Sequence, residues 1–248
     1  RKFSVDKEAG CINPSLSSIK NFSMTIANTL YELGQKKFED FGSLLVALRE
    51  KGIAESRIKD LIGIEYFSDF GDIKYLLNYL HIFLQLYKNK KFLSQLKKDK
   101  AFKLEIDFDV VRKHCVSETV QTFMKIDAKA IISEVTKNFN KKITFKERLL
   151  ARYSVLGYMD IIDKKYAGYC FVEDINVDYS PRLKLYALAN GNTIPVKISK
   201  KIFKQNPIRR GDIVKVTNQY KKPKMKKIDG EWRETNEQEW WISEYKIC

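Results

Sequence analysis

A chain of 248 residues that is 44% apolar can bury one large core or two ordinary ones, which excludes global disorder. Its 46 Lys and Arg against 31 Asp and Glu leave a net charge of +15, a surplus that attracts polyanions. The plainer alternative is a Lys-rich solvated surface. No apolar run reaches the roughly 18 residues that a membrane span needs.

Residues 1–150 read as helical and residues 151–248 as strands and turns. The chain begins at Arg1 and reads as a fragment of a longer protein. In "INPSLSSIKNFSMTIANTLYEL", residues 12–33, the turn Asn21-Phe22-Ser23 separates two helix-like runs. The second run places Ile26, Ala27, Leu30 and Leu33 on one face. The pair is either an ordinary αα corner or a helix-hairpin-helix whose turn offers N–H groups to a DNA phosphate. "FEDFGSLLVALREKG" then sets Phe38, Phe41, Leu44, Leu45 and Leu48 on one helical face, with Gly52 as C-cap. "ESRIKDLIGIEYFSDFG" does the same with Ile58, Leu61, Ile62 and Phe67. Asp72 caps a longer helix over "DIKYLLNYLHIFLQLYKNKKF", whose many apolar residues predict burial on more than one side. These elements make a helical domain over 1–92. Residues 93–152 read as a mostly helical spacer, in which "KLEIDFDVV" alternates like a strand and "SETVQTFMKIDAKAIISEVTKNF" looks helical.

Residues 153–248 form the second domain. "YAGYCFVEDINV" is its first strand. "RLKLYALA" turns Leu183, Leu185, Ala187 and Ala189 to one face and Lys184 and Tyr186 to the other. Asn190-Gly191 is a hairpin signal, and "TIPVKI" follows as the third strand. "SKKIFKQN" is a short helical turn, "IVKVTNQY" the fourth strand and "EWWISEYKI" the last. Five strands with a helix after the third describe an OB-fold β barrel, so the fold class is α+β. Some other small barrel or sandwich is the alternative.

OB-folds bind single strands on the face of their second and third strands, framed by two loops. Cations track the phosphates and aromatic rings stack the bases. Lys184 and Tyr186 on strand two, Lys197 on strand three, and Tyr220, Lys221, Lys222, Lys224, Lys226, Lys227 and Trp232 in and around the 4–5 loop are the candidates. Five lysines within residues 221–227 are the sharpest signal, against a plain reading as a flexible solvated loop.

Chemistry finds little support. Cys11, Cys115, Cys170 and Cys248 contain no CxxC pair, so no zinc site is expected and a reducing, cytoplasmic setting is. His81 and His114 read as structural, and the neighbours His114 and Cys115 point apart on any regular element. Glu173, Asp174 and Asp178 belong to a strand end and turn rather than to a two-metal centre. No P-loop, nucleophile elbow or HExxH occurs. No cofactor and no small-molecule substrate are expected.

Several of these segments together resemble one family. "INPSLSSIKNFSMTIANTLYEL", "FEDFGSLLVAL", "RIKDLIGIEYFSDFGDIKYLLNYLHIF" and the lead-in "KERLLARYSVLGYMDI" are similar, in this order, to the C-terminal region of the alpha (polymerase) subunit of bacterial DNA polymerase III. The resemblance implies helix-hairpin-helix motifs followed by an OB domain. It implies a non-catalytic part of a DNA-directed DNA polymerase, a nucleotidyltransferase whose catalytic carboxylates lie N-terminal to this region. Duplex and single-stranded DNA and the sliding clamp would be its partners. Lys20, Asn21, Ser23 and Thr25 would form the phosphate contact of the first hairpin.

The chain departs from the family pattern in four places. The first hairpin lacks its glycines. Gln121-Thr122-Phe123-Met124, the nearest match to a clamp-binding peptide, lacks a terminal aromatic and reads otherwise as part of an amphipathic helix. The lead-in continues as Asp160-Ile161-Ile162-Asp163 instead of a Ser-Gly-His-Pro type segment. The sequence stops straight after the OB domain, where the main branch of the family has one more. A stand-alone RNA- or tRNA-binding OB module and a replisome protein-docking fragment are the alternatives.

Overall fold

The computed structural model describes residues 4–6, 11–13, 15–137, 139 and 141–248, with the backbone alone for 4–6 and 11–13. Pro14 and the side chain of Cys11 lie outside them. The chain is a mixed helix-and-sheet protein of two compact units, Arg1–Thr144 and Phe145–Cys248.

In the first unit, β1 (Ser4–Asp6) and β2 (Cys11–Asn13) pair antiparallel. The helix expected before Asn21 is only the 3₁₀ turn Leu16–Ser18. Its serines compete with a helical ladder, since Ser17 N–H donates to Ser15 Oγ at 3.2 Å and Ser18 Oγ to Ser15 O at 2.6 Å. Helix α1 (Met24–Gly34) follows, capped by Ser23, whose Oγ accepts from Ile26 N–H at 3.2 Å. It buries Ala27, Leu30 and Leu33. Helix α2 (Phe41–Glu50) starts in a capping box between Asp40 and Ser43, and α3 (Glu55–Gly63) buries Ile58, Leu61 and Ile62. Helix α4 (Ile73–Leu86) is capped by Asp72 at 2.8 Å. It buries Ile73, Leu76, Tyr79, Leu80, Ile82, Phe83 and Leu86, a face too wide for one neighbour.

Residues 93–144 share this core instead of forming a separate spacer: Leu96, Val111, Phe123, Ile131 and Ile132 lie within it. After α4, β3 (Tyr87–Lys88) and β4 (Lys91–Phe92) form a hairpin through Asn89 and Lys90, both at positive φ. β5 (Gln95–Lys97), β6 (Cys115–Glu118) and β7 (Thr122–Ile126) make a sheet in the order β5-β7-β6. Helices α5 (Lys98–Lys103), α6 (Phe108–Lys113) and α7 (Ala128–Lys137) surround it in sequence. Two readings of this region need correction. "KLEIDFDVV" is a turn entering α6, because Glu105 takes φ +54° and Asp107 Oδ1 accepts from Asp109 N–H at 2.9 Å. The first half of "SETVQTFMKIDAKAIISEVTKNF" is the β6–β7 hairpin. Its turn is closed by Thr119 Oγ1 accepting from Thr122 N–H at 3.1 Å. Phe123 is fully buried in β7, while Val120 just before this stretch is 92% exposed.

The second unit opens with α8 (Phe145–Leu156). Its strands are β8 (Tyr169–Asn176), β9 (Arg182–Ala187), β10 (Thr193–Ile198), β11 (Ile213–Ile228) and β12 (Glu231–Ile247), with helix α9 (Lys200–Gln205) after β10. Every strand has a hydrogen-bonded neighbour on both sides, in the cyclic order β10-β12-β11-β8-β9, so the sheet closes on itself. All contacts are antiparallel except β10–β12. The interior holds Val172, Leu183, Val196, Ile198, Val214 and Ile242, with Ile202 and Phe203 of α9 packed against it. Tyr245 completes this end by donating its hydroxyl to Asn206 O. A second cluster forms on the outer face, where Leu149, Met159, Phe171, Tyr186, Leu188 and Ile213 bury one another.

The basic 4–5 loop is corrected too. It is no loop: the β11–β12 ladder runs on past the closed sheet, from Lys222↔Glu239 to Ile228↔Glu231, as a two-stranded ribbon. Asp229 and Gly230, at φ +49° and +88°, turn it.

Candidate nucleic-acid interface

Strand register assembles the site. Arg182 on β9 lies opposite Lys197 on β10, Lys197 opposite Trp241 on β12, and Trp241 opposite Tyr220 on β11. Directly opposed side chains share one face and sit ~5 Å apart at Cβ, so two cations and two aromatic rings form one row across four strands. The row is outward-facing, because its neighbours Val196, Ile198 and Ile242 point into the core.

Charge and ring contacts hold the row in place. Lys197 Nζ lies 5.6 Å from the Trp241 ring centroid, and Lys222 Nζ lies 5.0 Å from Trp241 and 5.3 Å from Tyr220. Glu239 organises it: one carboxylate oxygen accepts from Trp241 Nε1 at 2.9 Å and the other pairs with Lys197 Nζ at 2.6 Å. Beside the row is a groove of about 340 Å³ lined by Arg182, Lys197, Lys224, Met225, Glu237 and Trp240, among others. Lys221 stands over Trp240 at 4.8 Å.

The sequence candidates divide by place. Lys197 and Tyr220 are in the row, and Lys221 and Lys222 adjoin it. Lys224 lines the groove, paired to Glu237 at 2.7 Å, and that hydrogen bond raises the lysine's pKa and lowers the carboxyl's. Lys226, Lys227 and Trp232 lie out along the ribbon, where Trp232 is 67% exposed and opposite Lys227. Neither Lys226 nor Lys227 has an ion partner among the described residues. Lys184 is held 3.0 Å from buried Glu173, whose hydrogen bond raises its pKa. Tyr186 is a correction. It is only 6% exposed, because α8 and the segment after it cover the face it points to, so its ring cannot stack on a base. Arg182 and Trp241 are not among the sequence candidates. The signal was present as the alternation Glu239–Trp241, which register alone turns into a face.

Two exposed turns in the first unit bear on backbone binding. Lys20, Asn21, Ser23 and Thr25 are exposed, with Asn21 in the left-handed region at φ +66°. The Ser23 hydroxyl is occupied as the cap of α1, which leaves the N–H groups of Met24 and Thr25 outside the helix ladder. The α2–α3 turn is the one flanked by two full helices. Gly52 sits at φ +78°, Ile53 is buried, and Ala54 gives α3 no side-chain cap. Arg49, Glu55, Tyr87, Lys88 and Lys90 line a cavity of about 480 Å³ beside it. The buried Tyr87 hydroxyl has no hydrogen-bond partner among the described residues. This second cationic concavity was also missed, since the β3–β4 hairpin brings in residues distant in sequence.

Among the described residues no His, Cys, Asp and Glu group could hold a metal ion, and no helix is long and apolar enough to cross a membrane. No family model, curated protein or solved structure matches the chain.

Proposed function

We propose that the chain is a sequence-independent nucleic-acid-binding module, without chemistry of its own in this segment. In this reading the closed five-stranded sheet is an OB-fold that holds single strands along the row Arg182–Lys197–Trp241–Tyr220. That row is the observation that carries the reading. It supplies cations for the phosphates and stacking faces for bases, the two things that sequence-tolerant single-strand binding needs. The α2–α3 turn serves as a helix-hairpin-helix contact to duplex backbone, and the Asn21 turn, with no full helix before it, as a second phosphate contact. Uncapped N–H groups and nearby cations support that role. With the resemblance stated above, the module is the template-handling C-terminal part of a bacterial DNA polymerase III alpha subunit, working in the cytoplasm.

Fluorescence anisotropy of labelled single-stranded DNA, duplex DNA and single-stranded RNA across a salt series tests the reading. Single-stranded DNA should bind most tightly, with affinity falling steeply in salt. Changing Lys221, Lys222, Lys224, Lys226 and Lys227 together to Ala should remove most of it. A preference for RNA would move the module to RNA handling, and no binding of any nucleic acid at moderate salt would sink the reading.

A further inference from the structure

The interior of the closed sheet is filled unequally. At the α9 end, Val172, Leu183, Ile198, Val214, Ile242 and Tyr245 are buried and Ile202 and Phe203 pack against the core. At the opposite end the inward positions are Cys170, Ala187, Ile194, Val216 and Trp240, all only partly buried. A cavity of about 440 Å³ opens there. A closed sheet whose interior side chains are too small to fill it holds either a void or a ligand. This volume is in the range of small-molecule sites.

The chemistry of the lining is specific. None of its residues is charged. The floor is Leu185, Ile194 and Val196, one wall is Trp240, and the rim carries Asn190, Thr217, Asn218 and Gln219. Register shifts on either side of Asn218 mark a β-bulge, a device that redirects side chains, at this rim. Neutral amides over an apolar floor suit an uncharged, flat heterocycle with donors and acceptors on its edge. They do not suit a phosphate. Trp240 also lines the groove beside the outer row, and Lys221 stands over its ring.

We propose that this mouth holds one unstacked nucleobase of a single strand bound along the outer row, with Trp240 as its stacking wall and the Asn218 and Gln219 amides reading its edge. The inference rests on the nucleic-acid reading above and adds to it a discrete base site.

The test is anisotropy with labelled dT12 and a set of the same oligonucleotide carrying one abasic position, walked along the strand. For the unaltered chain, one or two abasic positions should weaken binding about tenfold more than the others, in line with the worth of one stacked base. Ala187→Leu fills the mouth and N218A/Q219A strips its rim without touching the core. Both should abolish that position dependence and leave the salt dependence of binding unchanged. Circular-dichroism melts check that each variant is folded. If all abasic positions are equivalent in the unaltered chain, or if the rim variant keeps the preference, the base site is refuted and the outer-row reading survives. If dT12 does not bind at all, both fall.

Discussion

Trp241 shows how a single residue gains a role from its surroundings. Its ring is fixed by the Glu239 carboxylate on Nε1 and flanked by Lys197 and Lys222, so it is presented without a mobile rotamer to order on binding. Trp241→Ala should weaken single-strand binding by roughly 1–3 kcal/mol, and Tyr220→Ala by a similar amount, read by anisotropy. The same residues in the Tyr186 position would do nothing, because that position is covered. A second residue-scale expectation concerns thiols. Burial pushes the Cys170 thiol up to about 11, while Cys248 is exposed. The thiolate is the nucleophile, so at pH 8 iodoacetamide should label Cys248 well before Cys170 in peptide mass spectra, and the gap should narrow as pH approaches 11.

Among the elements, helices were the more legible. The starts of α1, α2 and α4 carry their caps in the sequence, and Asp40→Ala or Asp72→Ala should each cost about 1 kcal/mol in a urea melt. Gly71 is stricter. It sits at φ +148° with the Tyr75 ring 2.6 Å from where a Cβ would stand. Gly71→Ala should therefore destabilise by about 1–3 kcal/mol. The β6–β7 hairpin was not legible, since a run of Thr, Val and Phe fits either period until Leu96 of β5 is found opposite Phe123. The ribbon of β11 and β12 shows a further limit. Its lysines stand out in sequence, yet β12 sets Glu239 opposite Lys222 and pairs Glu237 with Lys224. Glu237→Gln should release Lys224 and tighten nucleic-acid binding, and looser binding by that variant would count against the groove.

For the molecule as a whole, the +15 charge overstates the charge available for binding, because Lys184, Lys197 and Lys224 are already paired. With Arg182, Lys221 and Lys222 as the phosphate contacts, the log–log salt slope on single strands should be about −2, against the far steeper value that the total charge suggests. Local signals in the sequence were enough for the mixed helix-and-sheet class, the caps of α1, α2 and α4, the hairpin turn at Asn190-Gly191 and the basic composition. These follow from local conformational preference and composition, which act over a few residues. Which basic and aromatic residues lie side by side is a matter of strand pairing. Arg182 and Trp241 are 59 positions apart and meet through the register of β9, β10 and β12, while Tyr186 is removed by the cover over β8 and β9. Strand pairing and burial are long-range outcomes of packing, and a side chain's availability to a ligand is settled there.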